Sequence, residues 1–124
     1  MEHRARALLI GLLPILLASC AYVKAPEIWI GVSQQLAYTS SLEVQFRRVD
    51  DAILGTYELA GDLNGSGKIE GTIRDGMIIA TLEPSTTCRF QLVGTATDTT
   101  IKGNFEPDPC PAGSSGMWSM QRQY

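Results

Sequence analysis

From residue 41 onward, apolar side chains recur at every second position. Leu42, Val44 and Phe46 alternate with Glu43, Gln45 and Arg47. A period of two with one apolar face predicts a half-buried strand. Asp50-Asp51 marks a turn, and Gly55, Tyr57 and Leu59 then alternate with Thr56 and Glu58 in a second strand. Asp62 to Gly67 (Asp-Leu-Asn-Gly-Ser-Gly) is the richest turn signal in the chain. The following hairpin is the best specified. Asp75-Gly76 is a two-residue turn of the kind that matches strand twist. It pairs Arg74 with Met77, Ile73 with Ile78, Gly71 with Ala80 and Ile69 with Leu82. Ile69, Gly71, Ile73, Ile78, Ala80 and Leu82 then share an apolar face. Lys68, Glu70, Thr72 and Arg74 lie on the other with Met77, Ile79, Thr81 and Glu83. A slip of one residue would undo that segregation, so the register is fixed.

Thr87 to Gly94 repeats the alternation, with Cys88, Phe90 and Leu92 inward, and Thr95 to Asp98 reads as a loop. Ile101, Gly103 and Phe105 face inward in the next strand. Residues 106–116, rich in Pro and Gly, form a loop, and 117–122 a last strand with Trp118 and Met120 inward. Upstream, Ile28 to Val32 is an unbroken β-prone run. Ser33 to Ser41 is ambiguous between a loop and a helical turn around Gln34-Gln35-Leu36-Ala37. The expected fold is all-β: an antiparallel meander of seven or eight short strands, closed or nearly closed into a small barrel.

The first twenty residues follow a different pattern. Arg4 and Arg6 precede Ala7 to Ala18, twelve positions without a charge. That is the charged start and short apolar stretch of a helical secretory signal. A bilayer span needs about 20 apolar residues, and this stretch is shorter and interrupted by Pro14. Leu17-Ala18-Ser19-Cys20 at its end resembles the lipobox of bacterial lipoproteins. The resemblance implies cleavage before Cys20, acylation of that cysteine, and a protein tied to the membrane by its lipid. The expected organisation is a signal peptide over 1–19, a lipidated tether over 20–27 and a barrel domain over 28–124. Ala21 after the cysteine implies, in a Gram-negative cell, an outer-membrane lipoprotein facing the periplasm. The alternative is an ordinary signal cleaved elsewhere.

Charge and cysteine content narrow the chemistry. The chain has 10 Lys+Arg and 13 Asp+Glu. Removal of residues 1–19 takes Arg4, Arg6 and Glu2 and leaves 8 basic and 12 acidic residues. No basic run exists, so nucleic acid is not an expected partner. With Cys20 acylated, Cys88 and Cys110 remain, and in an exported protein an even pair is expected to form a disulfide. A metal pair or a reactive thiol is the competing reading, but the mature chain offers no histidine and no further cysteine to complete a zinc site. His3, the one histidine, lies in the segment to be removed. The mature chain therefore lacks His-based acid–base and nucleophilic chemistry. Asp62, Asn64, Ser66, Gly67 and Ile69 follow the start of a calcium-binding EF-hand loop. Ile73, however, stands where the bidentate Glu belongs, and the flanks read as strands. Neither a cofactor nor a metal is expected, and no catalytic group stands out.

Gly55-Thr56-Tyr57 opening a meander, glycines near strand centres and a terminal Gly116-Met117-Trp118-Ser119-Met120 strand resemble the avidin and lipocalin group of barrels. They are more similar still to small bacterial lipoproteins built on that plan. The resemblance spans roughly 42–124 and implies architecture alone. Three functions follow as expectations. The first is a non-enzymatic envelope lipoprotein that docks on another protein or on an envelope polymer, with Met77, Ile79 and the Pro/Gly loop as contact points. The second is a carrier of a small apolar ligand lined by Tyr57, Phe90, Phe105 and Trp118. The third is a periplasmic protease inhibitor. Bulky inward residues favour a filled barrel over a carrier.

Overall fold

The computed structural model describes residues 25–84, 88–108 and 114–124. The expected signal peptide and Cys20 lie outside them, as does Cys110. The described residues contain no helix and form eight strands: β1 (Glu27–Gln35), β2 (Tyr38–Val49), β3 (Ala52–Gly61), β4 (Gly65–Arg74), β5 (Met77–Pro84), β6 (Phe90–Ala96), β7 (Thr100–Pro107) and β8 (Gly116–Gln123). Each strand pairs antiparallel with the next, and β8 pairs with β1, which closes the barrel. The hairpin register read from the sequence holds: Arg74 faces Met77, Ile69 faces Leu82 and Lys68 faces Glu83.

The structure differs from the sequence reading at several strand boundaries. Ser33 to Ser41 is neither a loop nor a helical turn. β1 runs to Gln35, Leu36-Ala37 makes a two-residue turn, and Gln35 faces Tyr38. Leu36 holds φ at 56° without being a glycine. Pairing along both flanking strands imposes that left-handed backbone, which residues other than Gly, Asn or Asp rarely adopt. β6 does not stop at Gly94. Thr95 and Ala96 continue it, pairing with Lys102 and Ile101. β1 begins at Glu27, one residue before the expected start, and β6 begins at Phe90 rather than Thr87. β7 runs on to Pro107 and β8 starts at Gly116, so the expected 106–116 loop is shorter at both ends, and its residues 109–113 lie outside the described ones.

Alternation places one face of every strand inside. The core holds Trp29, Leu42, Val44, Phe46, Ile53, Tyr57, Ile69, Ile78, Ala80, Leu82, Leu92, Ala96, Ile101, Phe105, Trp118 and Met120, all buried. Gly71 and Gly103 sit on this inner face and leave no space. A Cβ on Gly71 would lie 2.5 Å from the Ala80 Cα, and one on Gly103 would lie 2.9 Å from Leu92 Cδ1. They let strongly coiled neighbouring strands approach each other.

The barrel has two ends. The entry end carries the start of β1, the turns at Asp50-Asp51, Asp75-Gly76 and 97–99, and Tyr124. The far end carries Leu36-Ala37, the 62–64 turn and the segments around Cys88 and Ser114. At the far end the buried Ser40 hydroxyl donates to the Leu63 carbonyl (3.0 Å) and accepts from the Leu63 N–H (2.9 Å). The Gln35 amide donates to the Ser114 carbonyl at 2.7 Å, which ties the β1–β2 turn to the start of β8.

Candidate functional site

The four aromatic residues expected to line a pocket form one continuous row. The Tyr57 and Trp118 rings meet edge to face, centroids 5.4 Å apart. Trp118 meets Phe105 at 6.1 Å, and Phe105 meets Phe90 at 5.8 Å. These are the favoured geometries of aromatic pairs, and the rings fill the far half of the interior with one another. Burial pushes the Tyr57 phenol up to about 12, because the phenolate would lose its hydration there.

The entry half is filled by a pair that sequence reasoning missed. Trp29 and Phe46 stack at 6.1 Å. The run Ile28 to Val32 is apolar throughout, so its period gave no phase. Glu27, of the same parity as Trp29, stands at the mouth of the barrel. Glu27 is held there by two cations. Arg48 Nε lies 2.7 Å from Glu27 Oε2, and a terminal Arg48 nitrogen donates to Oε1 at 3.2 Å. Arg122 Nε stands 3.8 Å from Oε1. The Arg48 guanidinium lies 5.6 Å from the Phe46 ring centroid, a cation–π contact that lids the stacked pair. The buried Trp29 indole N–H has no acceptor among the described residues.

The outer wall carries the remaining candidates. Met77 and Ile79 are exposed, as expected. Val93 joins them, since it stands directly opposite Ile79 on β6 and is also exposed. Sequence reasoning passed over Val93, although the alternation of Leu92 inward already put it outside. Beside it lies an open depression of about 570 Å³ lined by Gln91, Val93, Asn104, Glu106, Pro107 and Asp108. The wall depressions are open to solvent and mix polar with apolar groups.

The Asp62 turn uses its polar side chains locally. Asp62 Oδ2 accepts from the Thr39 N–H at 3.0 Å, and Asn64 Oδ1 accepts from the Gly61 N–H at 3.2 Å. Asp50 and Asp51 sit in the β2–β3 turn, and Asp51 lies 3.7 Å from Arg74 Nε. Among the described residues, no three His, Cys, Asp or Glu side chains converge on a point. Cys88 lies just before β6 and is half-buried, while its expected partner Cys110 is outside the described residues. Compared with known proteins, the sequence matches no family model and no curated protein.

Proposed function

We propose that this chain is a lipid-anchored protein of a bacterial envelope whose barrel is a non-enzymatic docking module. The observation that supports docking over carriage is the filled interior. The row Tyr57–Trp118–Phe105–Phe90 and the stacked pair Trp29–Phe46 occupy the space an apolar ligand would need. An eight-stranded barrel is just wide enough for side chains to fill it, and here bulky ones do. Function then falls to the outer surface. Met77, Ile79 and Val93 form a small apolar island there, suited to an apolar contact on an envelope protein or polymer.

The anchor reading rests on Leu17-Ala18-Ser19-Cys20. Acyl chains contribute about 0.8 kcal/mol per buried methylene, so a multiply acylated cysteine holds a protein firmly in a leaflet. In cells given a labelled fatty acid, wild type is expected to incorporate label and Cys20→Ala to accumulate as an unlabelled precursor. Equal labelling of the two would remove the anchor reading. Native mass spectrometry of the purified protein is expected to show no bound ligand. A stoichiometric apolar companion would restore the carrier reading.

A further inference from the structure

The outward residues of β1 are Ile28, Ile30, Val32 and Gln34, and those of β8 are Met117, Ser119, Gln121 and Gln123. None is charged. Among the described residues, no other neighbouring pair of strands is free of outward charge. Charges stand on the outer faces of β2 (Glu43, Arg47), β3 (Glu58), β4 (Lys68, Glu70, Arg74), β5 (Glu83) and β7 (Lys102, Glu106). Ile30, Val32 and Met117 are all exposed, and Val32 stands between Ser41 and Ser119. The apolar row begins where the chain enters the barrel. Resting on the reading that Cys20 carries the acyl chains, we infer that the β1–β8 wall lies against the leaflet that holds the anchor.

Three observations point to this occupant. The first is reach. Seven residue steps separate Cys20 from Glu27, a span of at most about 25 Å even when fully extended. The anchor thus keeps the base of β1 close to the headgroups, and Ile28 is the first outward residue after it. The second is the lack of charge. A wall of Ile, Val, Met, Gln and Ser enters the headgroup region without stripping water from an ion, whereas every other pair of strands would carry a charge into it. The third is the placing of the rest. In an eight-stranded barrel β4 and β5 stand opposite β8 and β1. Met77 and Ile79 would then face away from the membrane and be open to a partner. Tyr124, 91% exposed at the entry end, adds an amphipathic ring of the kind that settles at headgroup depth.

Ile30 and Ile79 provide a matched test: same residue type, 45% and 46% exposed, on opposite walls. The processed, full-length lipoprotein carrying Ile30→Cys or Ile79→Cys is labelled with an environment-sensitive fluorophore, with wild type as the labelling background. Each is reconstituted in phosphatidylethanolamine–phosphatidylglycerol vesicles containing headgroup-proximal spin-labelled lipid. Quenching at position 30 is expected to exceed that at position 79 at least threefold. Met117→Cys, on β8, is expected to behave like position 30, which guards against a local disturbance at one site. Equal quenching at 30 and 79, in protein that floats with vesicles and carries acyl mass on Cys20, overturns the inference and leaves the anchor standing. Loss of acyl mass at Cys20 overturns both. Self-quenching between copies at position 30, without quenching by lipid, overturns it in favour of a second copy on this wall.

Discussion

Replacing Trp118 with Ala tests the filled barrel directly. Trp118 is 2% exposed and links two aromatic neighbours, Tyr57 and Phe105. Large-to-small core replacements of this kind cost about 3–5 kcal/mol, more where the site cannot collapse. Collapse is hindered here, because β8 is hydrogen-bonded to β7 on one side and to β1 on the other. The two lost edge-to-face contacts add roughly 0.5–1.5 kcal/mol each beyond area burial. The upper half of the range is therefore expected, about 4–5 kcal/mol, against a total of about 5–15 kcal/mol for an ordinary domain. At about 4–8 °C per kcal/mol, the Tm should fall by about 16–40 °C. Urea unfolding of the mature chain, followed by far-ultraviolet circular dichroism, measures this. The void left, on the order of 100 Å³ and lined by rings, should stay dry and accept a benzene-sized molecule. Benzene should then raise the midpoint of the variant and leave wild type unchanged. A loss below about 1 kcal/mol, or equal stabilisation of wild type by benzene, would mean that the row does not fill the interior.

Tyr57→Phe should flatten the alkaline limb of stability. The unfolded phenol releases its proton near 10 and the folded one at about 12, so stability is full below pH 10 and falls as pH rises to 12. The fall is up to about 2–3 kcal/mol, and identical slopes in the two proteins would contradict burial as the cause. Glu27→Gln should lower stability by about 1–2 kcal/mol at neutral pH, because it removes the anion between two half-buried guanidiniums. Urea midpoints that match wild type within error would show the cluster to be a solvated surface feature. A Cys88–Cys110 bond should appear as a cross-linked peptide in non-reduced digests, and its closed loop of 22 residues should contribute roughly 3 kcal/mol. Two alkylatable thiols in folded, exported protein would refute it.

The meander was legible where turn chemistry and alternation agreed. Asp75-Gly76 fixed the phase of β4 and β5 together, and every inward residue of that hairpin followed. Legibility failed at Leu36-Ala37, which carries none of the usual turn residues. The bend there is imposed by pairing on both sides, and pairing partners are not written locally. It failed again at Ile28–Val32. A run apolar on both faces has no period, so neither the core Trp29 nor the outer row of Ile28, Ile30 and Val32 could be phased. The aromatic residues were legible as a set. Their order in space was not, because Tyr57 and Trp118 are brought together only by closure of the barrel. The outer island was read as Met77 and Ile79, and Val93 became its third member through a cross-strand register between separate hairpins.

Closure also dictates when this molecule can come into being. Ile28 meets Gln123, so the last ladder joins the two extremes of the barrel sequence. A chain that emerges from its N-terminus must hold β1 with one edge unsatisfied until residues 116–123 arrive. Contacts of such long separation form late and slowly, since the whole loop between them must first be ordered. Until then, two open edges offer backbone donors and acceptors to any other nascent strand. A chain shortened by its last eight residues would keep those edges for life. Such a molecule would be exposed to sheet-to-sheet aggregation, and a strand-shaped guest could take the vacant place.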